Sequence, residues 1–220
     1  MKPKTVFITG ISRGIGNGLA KKFLEEGYYV IGTSTAGKGN IKNENLKSLR
    51  LNLSSEKSIN KCVEDFSKLN RKIDILINNA GVLLDEFETL LKINPLRESL
   101  EVNLIGTVSL TEKLLHFMNK KGTIINISSS AGSFEHTRYT KYPAYKISKA
   151  ALNMYTKVLS IRLKKRKILV ASIHPGWVKT DMGGAEANLK PEEAATNIYN
   201  RIISLKETGQ FWFGQDKFPW

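Results

Sequence analysis

Two side chains past the middle of the chain pose the chemical question. Tyr145 and Lys149 stand four apart, in a stretch whose helical pattern runs from Pro143 to about Leu163. In a helix that spacing places both on one face, about 5–6 Å apart at Cβ. A free phenol has a pKa near about 10, too high for an efficient proton donor at neutral pH. A neighbouring ammonium favours the phenolate, so the pair reads as a tunable acid/base with a lowered phenol pKa. Tyr142 and Lys146 repeat the spacing, but Tyr142 precedes Pro143 and falls before the first helical turn, so Tyr145 is chosen. Ser128-Ser129-Ser130 closes the apolar run TIINIS. A hydroxyl there could donate to a substrate oxygen as charge develops, or could satisfy its own turn. Pattern alone does not choose among the three serines. Asn103 sits in a helical segment, where asparagine is a poor former; it reads as a kink, a proton-relay residue or exposed filler.

Groups of this kind need a scaffold, and the scaffold announces itself at Thr5 to Gly18, TVFITGISRGIGNG. A β-branched and aromatic run enters a glycine turn, and the turn enters a helical pattern. That layout binds a dinucleotide pyrophosphate. The helix N-terminus offers unpaired N–H groups and a partial positive charge. Gly10, Gly14 and Gly16 permit the sharp turn and a close approach of backbone to phosphate.

The remaining elements follow in alternation. Strands are expected at 28–33, 46–53, 73–78, 123–128, 168–173 and 210–213. Helices are expected from Ser54-Ser55-Glu56 to about Leu69, from Leu96 to Met118, from Pro143 to about Leu163 and from Pro191 to about Leu205. The pattern predicts an α/β fold: a doubly wound parallel sheet of about seven strands in a single domain, 1–220. About 20 residues past the glycine turn, where an acid would hold the ribose 2′-hydroxyl of NAD, the chain reads IGTSTAGK. The missing carboxylate favours NADP over NAD, with Arg13 and Lys38 as candidate cations.

Bulk composition narrows the rest. The chain has 220 residues, 41% of them hydrophobic, and a net charge of +14. Its basic residues lack regular aromatic interleaving, so nucleic-acid binding is not expected. The single cysteine, Cys62, forms no internal disulfide, and no apolar run approaches membrane-spanning length. A soluble, cytoplasmic protein without membrane attachment is expected. The three histidines show no metal-ligand spacing, and no metal site is expected.

Taken together, the residues resemble the classical short-chain dehydrogenase/reductase family. The matching stretches are TGISRGIG at 9–16, NNAG at 78–81, VNLIGT at 102–107, INISSSAG at 125–132, YKISK at 145–149 and HPGWVKTDMGG at 174–184. The last of these and the ending FPW look most like sniffer-type carbonyl reductases and C-factor-like proteins. The resemblance implies a Rossmann-type fold and four catalytic roles. Tyr145 is the general acid/base, Lys149 lowers its pKa and holds the nicotinamide ribose, Ser129 orients the substrate carbonyl, and Asn103 holds a water linking Lys149 to solvent.

It also implies the cofactor contacts. Gly10, Ser12, Arg13, Gly14, Ile15 and Gly16 form the pyrophosphate turn. Thr33, Ser34, Asn52 and Leu53 lie at the adenosine end. Asn79, Ala80 and Gly81 line the middle of the site. Pro175, Gly176, Val178 and Thr180 meet the nicotinamide end, with Tyr145 and Lys149 beside them. Three departures stand out. Asn52 replaces a common aspartate, the Gly132–Tyr142 loop is long, and the lid at 181–189 is short.

The implied activity is NADPH-dependent reduction of a small ketone or aldehyde, by a homodimer or homotetramer paired through the two long helices. Two rivals remain: a non-catalytic, cofactor-binding signalling protein of the C-factor type, and a 3-oxoacyl carrier-protein reductase.

Overall fold

A computed structural model describes residues 2–220. Eight strands form one sheet in the order β3-β2-β1-β4-β5-β6-β7-β8. They are β1 Thr5–Ile8, β2 Tyr29–Ser34, β3 Leu46–Arg50, β4 Ile73–Asn78, β5 Met118–Ile127, β6 Leu169–His174, β7 Gln210–Phe213 and β8 Asp216–Lys217. The first seven run parallel; β8 folds back antiparallel on β7 and is one strand more than the sequence pattern indicates.

Alternation along each strand feeds two cores. Val6, Ile8, Ile75, Ile77, Ile125 and Ile127 point to one face, where they pack beneath α1 (Gly14–Glu25) and α6 (Pro191–Ile203). Phe7, Leu76 and Ile124 point to the other, beneath α2 (Glu56–Ser67), α4 (Thr107–Leu114) and α5 (Pro143–Arg162). Both faces being covered explains the near-continuous apolar strands. Chain order reverses between β1 and β4, so a crevice opens at their carboxyl ends.

The helix expected over 96–118 is four pieces. Helix α3 (Ile93–Leu100) passes into a π-helical stretch, Glu101–Gly106, then α4, then a 3-10 turn at Leu115–Phe117. Gly106 explains part of this: a Cβ there would fall 2.0 Å from the Leu53 carbonyl oxygen, so the helix is pressed against the end of the β3 segment. Strand β5 starts at Met118, earlier than expected, because a register shift lets Met118 pair with Ile73 before regular pairing begins at Ile75 and Thr123.

A polar ladder crosses the second core. Asn78 Nδ2 donates to Thr111 Oγ1 (2.9 Å) and to Asn126 Oδ1 (2.8 Å). Asn126 Nδ2 donates to Thr156 Oγ1 (2.8 Å), which also accepts from Ser172 Oγ (2.9 Å). All five residues are buried. Buried polar groups are costly unless paired. Asn126→Leu should therefore destabilise the protein by about 2–3 kcal/mol, read as a lower urea midpoint at unchanged slope. An unchanged midpoint would mean that the ladder contributes nothing to stability.

Candidate active site

The crevice begins with the glycine turn. Gly10 (φ +76°) and Gly14 (φ +58°) adopt left-handed conformations that L side chains rarely take. The Gly10 and Ile11 amides both donate to the Thr33 carbonyl, at 3.0 and 2.9 Å. A Cβ at Gly16 would sit 2.1 Å from the Gly10 oxygen, so this glycine serves turn-to-helix packing.

Asn79 staples the turn to β4. Its Nδ2 donates to the Thr9 and Gly10 carbonyls (2.9 and 3.2 Å), while its own amide and that of Ala80 donate to Thr9 Oγ1 (2.9 and 3.0 Å). Helix α1 starts with no side-chain cap and no acid in its first turn. Its first amides are thus free for an anion, and the residues fit a dinucleotide pyrophosphate.

The region expected to meet adenosine is built from local turns. Ser34 Oγ donates to the Lys38 carbonyl (2.7 Å) and accepts from the Lys38 amide (3.1 Å). Thr33 and Leu53 are buried, whereas Ser12 is exposed and Ile15 is partly so. Asn52 Oδ1 accepts from the amide and hydroxyl of Ser54, at 3.1 and 2.8 Å, and so caps the turn before α2. Arg13 does not stand free: its Nε pairs with Asp181 at 2.8 Å, both side chains largely exposed. Such an exposed pair contributes little, so another anion can displace it.

Helix α5 brings the reactive groups in. Tyr142 precedes it with φ +46°, and its Nterminal turn is capped from afar by the buried Asp85, whose Oδ2 accepts from the Ala144 amide at 2.6 Å. Tyr145 and Lys149 are both buried, with the Lys149 Nζ 5.6 Å from the Tyr145 ring centroid. Lys149 donates to the carbonyl of Ile127, the last residue of β5, at 2.9 Å. Ser129 opens a short 3-10 turn and accepts from the Ala131 amide at 3.1 Å. That turn docks on α5 through Gly132, where a Cβ would lie 2.7 Å from the Lys149 backbone. The Ser129 hydroxyl lies near enough to the Tyr145 phenol to favour its ionised form. Ser128 is buried, with a hydroxyl that has no partner, and it does not share this contact.

Asn103 lies in the π-helical stretch. Its Oδ1 accepts from the Val82 amide (2.8 Å), and its Nδ2 donates to the Val82 carbonyl (2.9 Å) and Ser148 Oγ (3.0 Å). Ser148 Oγ in turn donates to the Tyr145 carbonyl at 2.7 Å. Gly81 leaves room for the arrangement: a Cβ there would be 3.0 Å from Asn103 Oδ1 and 3.6 Å from Lys149 Nζ.

One expectation is corrected. The phenol is not lowered by its cation in the unliganded protein. Burial pushes the Tyr145 phenol up to about 12, opposed only by the hydrogen bond from Ser129. Burial likewise pushes Lys149 down to about 8. Desolvation dominates because both side chains are buried.

At the far wall, Pro175 and Gly176 (φ +87°) follow β6. Val178 pairs with Leu189 and so closes the lid on itself. The Gly183 and Gly184 amides both donate to the Thr180 carbonyl, at 3.1 and 2.9 Å, so these glycines form a turn. Thr180 also reaches the first loop: a Cβ at Gly14 would sit 3.1 Å from its Cγ2.

Comparison with known proteins places this geometry. The family model for short chain dehydrogenases matches residues 4–190. The chain belongs to the short-chain dehydrogenase family. Among curated relatives of this dehydrogenase, the 3-oxoacyl-[acyl-carrier-protein] reductase FabG of Aquifex aeolicus is 36% identical over 193 residues, covering 83% of this chain and 77% of that protein. The carbonyl reductase Sniffer of D. melanogaster superposes with a TM-score of 0.89 at 28% identity, covering 99% of this chain and all of that one. An NADPH-bound carbonyl reductase from chicken fatty liver gives 0.91 at 27% identity, covering 100% of this chain and 95% of that one.

The structure thus brings Tyr145, Lys149, Ser129 and Asn103 of the dehydrogenase close together near the end of β5, and sets the glycine turn beside Asn79–Ala80 and Thr180. Asp85 and Ser148 act here but were not among the sequence candidates. Asp85 carries no local signal, because its partner lies 59 residues away. Ser148 falls inside the YKISK stretch and is visible there only by position.

The pKa directions give a test. An unfolded lysine binds its proton up to about 10.5, and the folded one releases it near 8. Between these values the unfolded state binds more protons, so stability rises with pH. Tyr145, raised in the folded state, opposes this only from about 10 upward. Urea unfolding of the unliganded protein from pH 7.5 to 10 should show a rise of up to about 3 kcal/mol that Lys149→Met abolishes.

Proposed function

We propose that this dehydrogenase reduces the carbonyl of a ketone or aldehyde with NADPH. The convergence of Tyr145, Lys149 and Ser129 on one buried point beside the end of β5 carries the reading. NADPH, when bound, supplies the hydride. The absence of an acid at the end of β2 supports NADPH over NADH, as does the NADPH in the chicken relative.

The chain's own groups do the rest. Ser129 holds the substrate oxygen by a hydrogen bond. Tyr145 gives its proton to that oxygen as negative charge develops there. A phenol raised by burial is fully protonated at neutral pH, which is the form reduction needs. The phenolate left behind is stabilised by the Lys149 ammonium one turn on. Asn103, acting through Ser148, fixes the backbone of Tyr145 and so the direction of its ring.

Tyr145→Phe should lower kcat by about 1000-fold while the dissociation constant for NADPH, from fluorescence titration, changes less than about twofold. Normal turnover in this variant would remove Tyr145 from the mechanism.

A second reading is favoured by the 3-oxoacyl-[acyl-carrier-protein] reductases among the curated relatives and by the chain's net charge of +14. Much faster turnover of a carrier-bound 3-oxoacyl thioester than of its small analogue would select it.

Self-association is proposed through the outer face of α5, where Met154, Val158 and Ile161 are exposed. A dimer or tetramer should sediment as such, and Val158→Glu should shift it to the monomer.

A further inference from the structure

The loop between Ser129 and Tyr145 is pinned to the site at both ends. Its start follows the turn docked on α5 at Gly132. Its end is Tyr142, whose ring lies 6.2 Å from that of Tyr145 and whose amide donates to the Glu88 carbonyl at 2.8 Å. In between it buries little of its own: Phe134 is 78% exposed, so the loop has no apolar anchor of its own there.

Its support comes from the segment after β8. The main-chain oxygen of Trp220 accepts from the Phe134 amide (3.0 Å) and from Ser133 Oγ (3.2 Å). The Trp220 ring stacks on Phe211 of β7, centroids 5.6 Å apart at 26°. Two residues earlier, Phe218 stacks on His136 of the loop, at 4.4 Å and 25°. The same Phe218 ring meets His174 at 5.6 Å and Phe211 at 5.0 Å, and its amide donates to the Phe211 carbonyl at 2.8 Å. His174 leads directly into Pro175-Gly176, the opposite wall of the crevice. One aromatic ring therefore touches both walls.

We infer that Phe218 and Trp220 are specificity-determining positioning residues, which brace the 133–142 loop against the His174–Gly176 wall and so set the width available to substrate. The inference rests on the carbonyl-reductase reading for its kinetic consequence, but the brace itself is measurable without turnover. Neither residue touches the reacting atoms; each acts through the loop. Aromatic stacks of this kind contribute enough to hold or release a short surface loop.

The experiment compares the full chain with Trp220→Ala, Phe218→Leu and Trp220→Phe. Amide hydrogen exchange is read over 133–142. Steady-state kinetics use a small aldehyde and a bulky aryl ketone, and NADPH affinity is read by fluorescence titration. Trp220→Ala and Phe218→Leu should speed exchange in the loop and change the ratio of KM values for the two carbonyls, each by about tenfold. The NADPH affinity should stay within about twofold, and kcat for the small aldehyde should be held. Trp220→Phe, which keeps a ring over Phe211, should behave as the wild type.

Unchanged exchange over 133–142 in both disruptive variants would overturn the brace. So would a loss of NADPH affinity in step with the KM change, since that marks general damage to the fold. A wild-type protein that turns over neither carbonyl counts against the reductase reading alone, and the exchange data then decide the brace by themselves.

Discussion

The buried ammonium of Lys149 is the constraint around which the site is arranged. Removing a cation from water is expensive, and among the described residues its one hydrogen-bond acceptor is the Ile127 carbonyl. An ammonium carries three donors, and the Ile127 carbonyl takes one of them, with the Tyr145 ring 5.6 Å away. A lysine so poorly solvated costs stability wherever its charged form is kept. The same depth of burial pushes Lys149 down and Tyr145 up.

The π-helical stretch answers a related need. Asn103 must reach Val82 on one side and Ser148 on the other. The extra residue in a π-turn rotates the side chain relative to a regular helix, and such turns gather at functional sites. Its amide is engaged with protein partners on both atoms, so its first task is to clamp α5 to the segment after β4. The dull alternative of exposed filler is excluded by its burial.

The parts legible in the sequence were those with short-range patterns. Apolar alternation over Val6–Ile8 and Ile75–Ile77, glycines at 10, 14 and 16, and the four-residue spacing of Tyr145 and Lys149 each encode local geometry that tertiary contacts left intact. The illegible parts depend on partners distant in the chain. The Asp85 cap, the Arg13–Asp181 pair and the brace from Trp220 join segments between 59 and 168 residues apart, and composition near either end says nothing of the other. The phenol's pKa was misjudged for the same reason. Spacing reports the neighbouring cation, whereas the depth of burial is a property of the whole fold.

Helix α5 shows why polar groups carry so much of this site. Along its buried face lie Tyr145, Lys149, Asn153 and Thr156, and each of the last three is fixed to something outside the helix. Lys149 bonds the end of β5, Asn153 donates to the Gly132 carbonyl at 3.1 Å, and Thr156 accepts from Asn126 in the middle of the sheet. Apolar contacts alone tolerate small slides and rotations, because side chains can repack at modest cost. Directional hydrogen bonds at three heights along one helix do not, since each weakens steeply with distance and angle. A phenol with the role proposed above is better fixed by such pins than by a greasy face. The buried face of α5 is therefore mixed: Leu152 and Leu159 pack apolar, while Lys149, Asn153 and Thr156 fix the position of the helix.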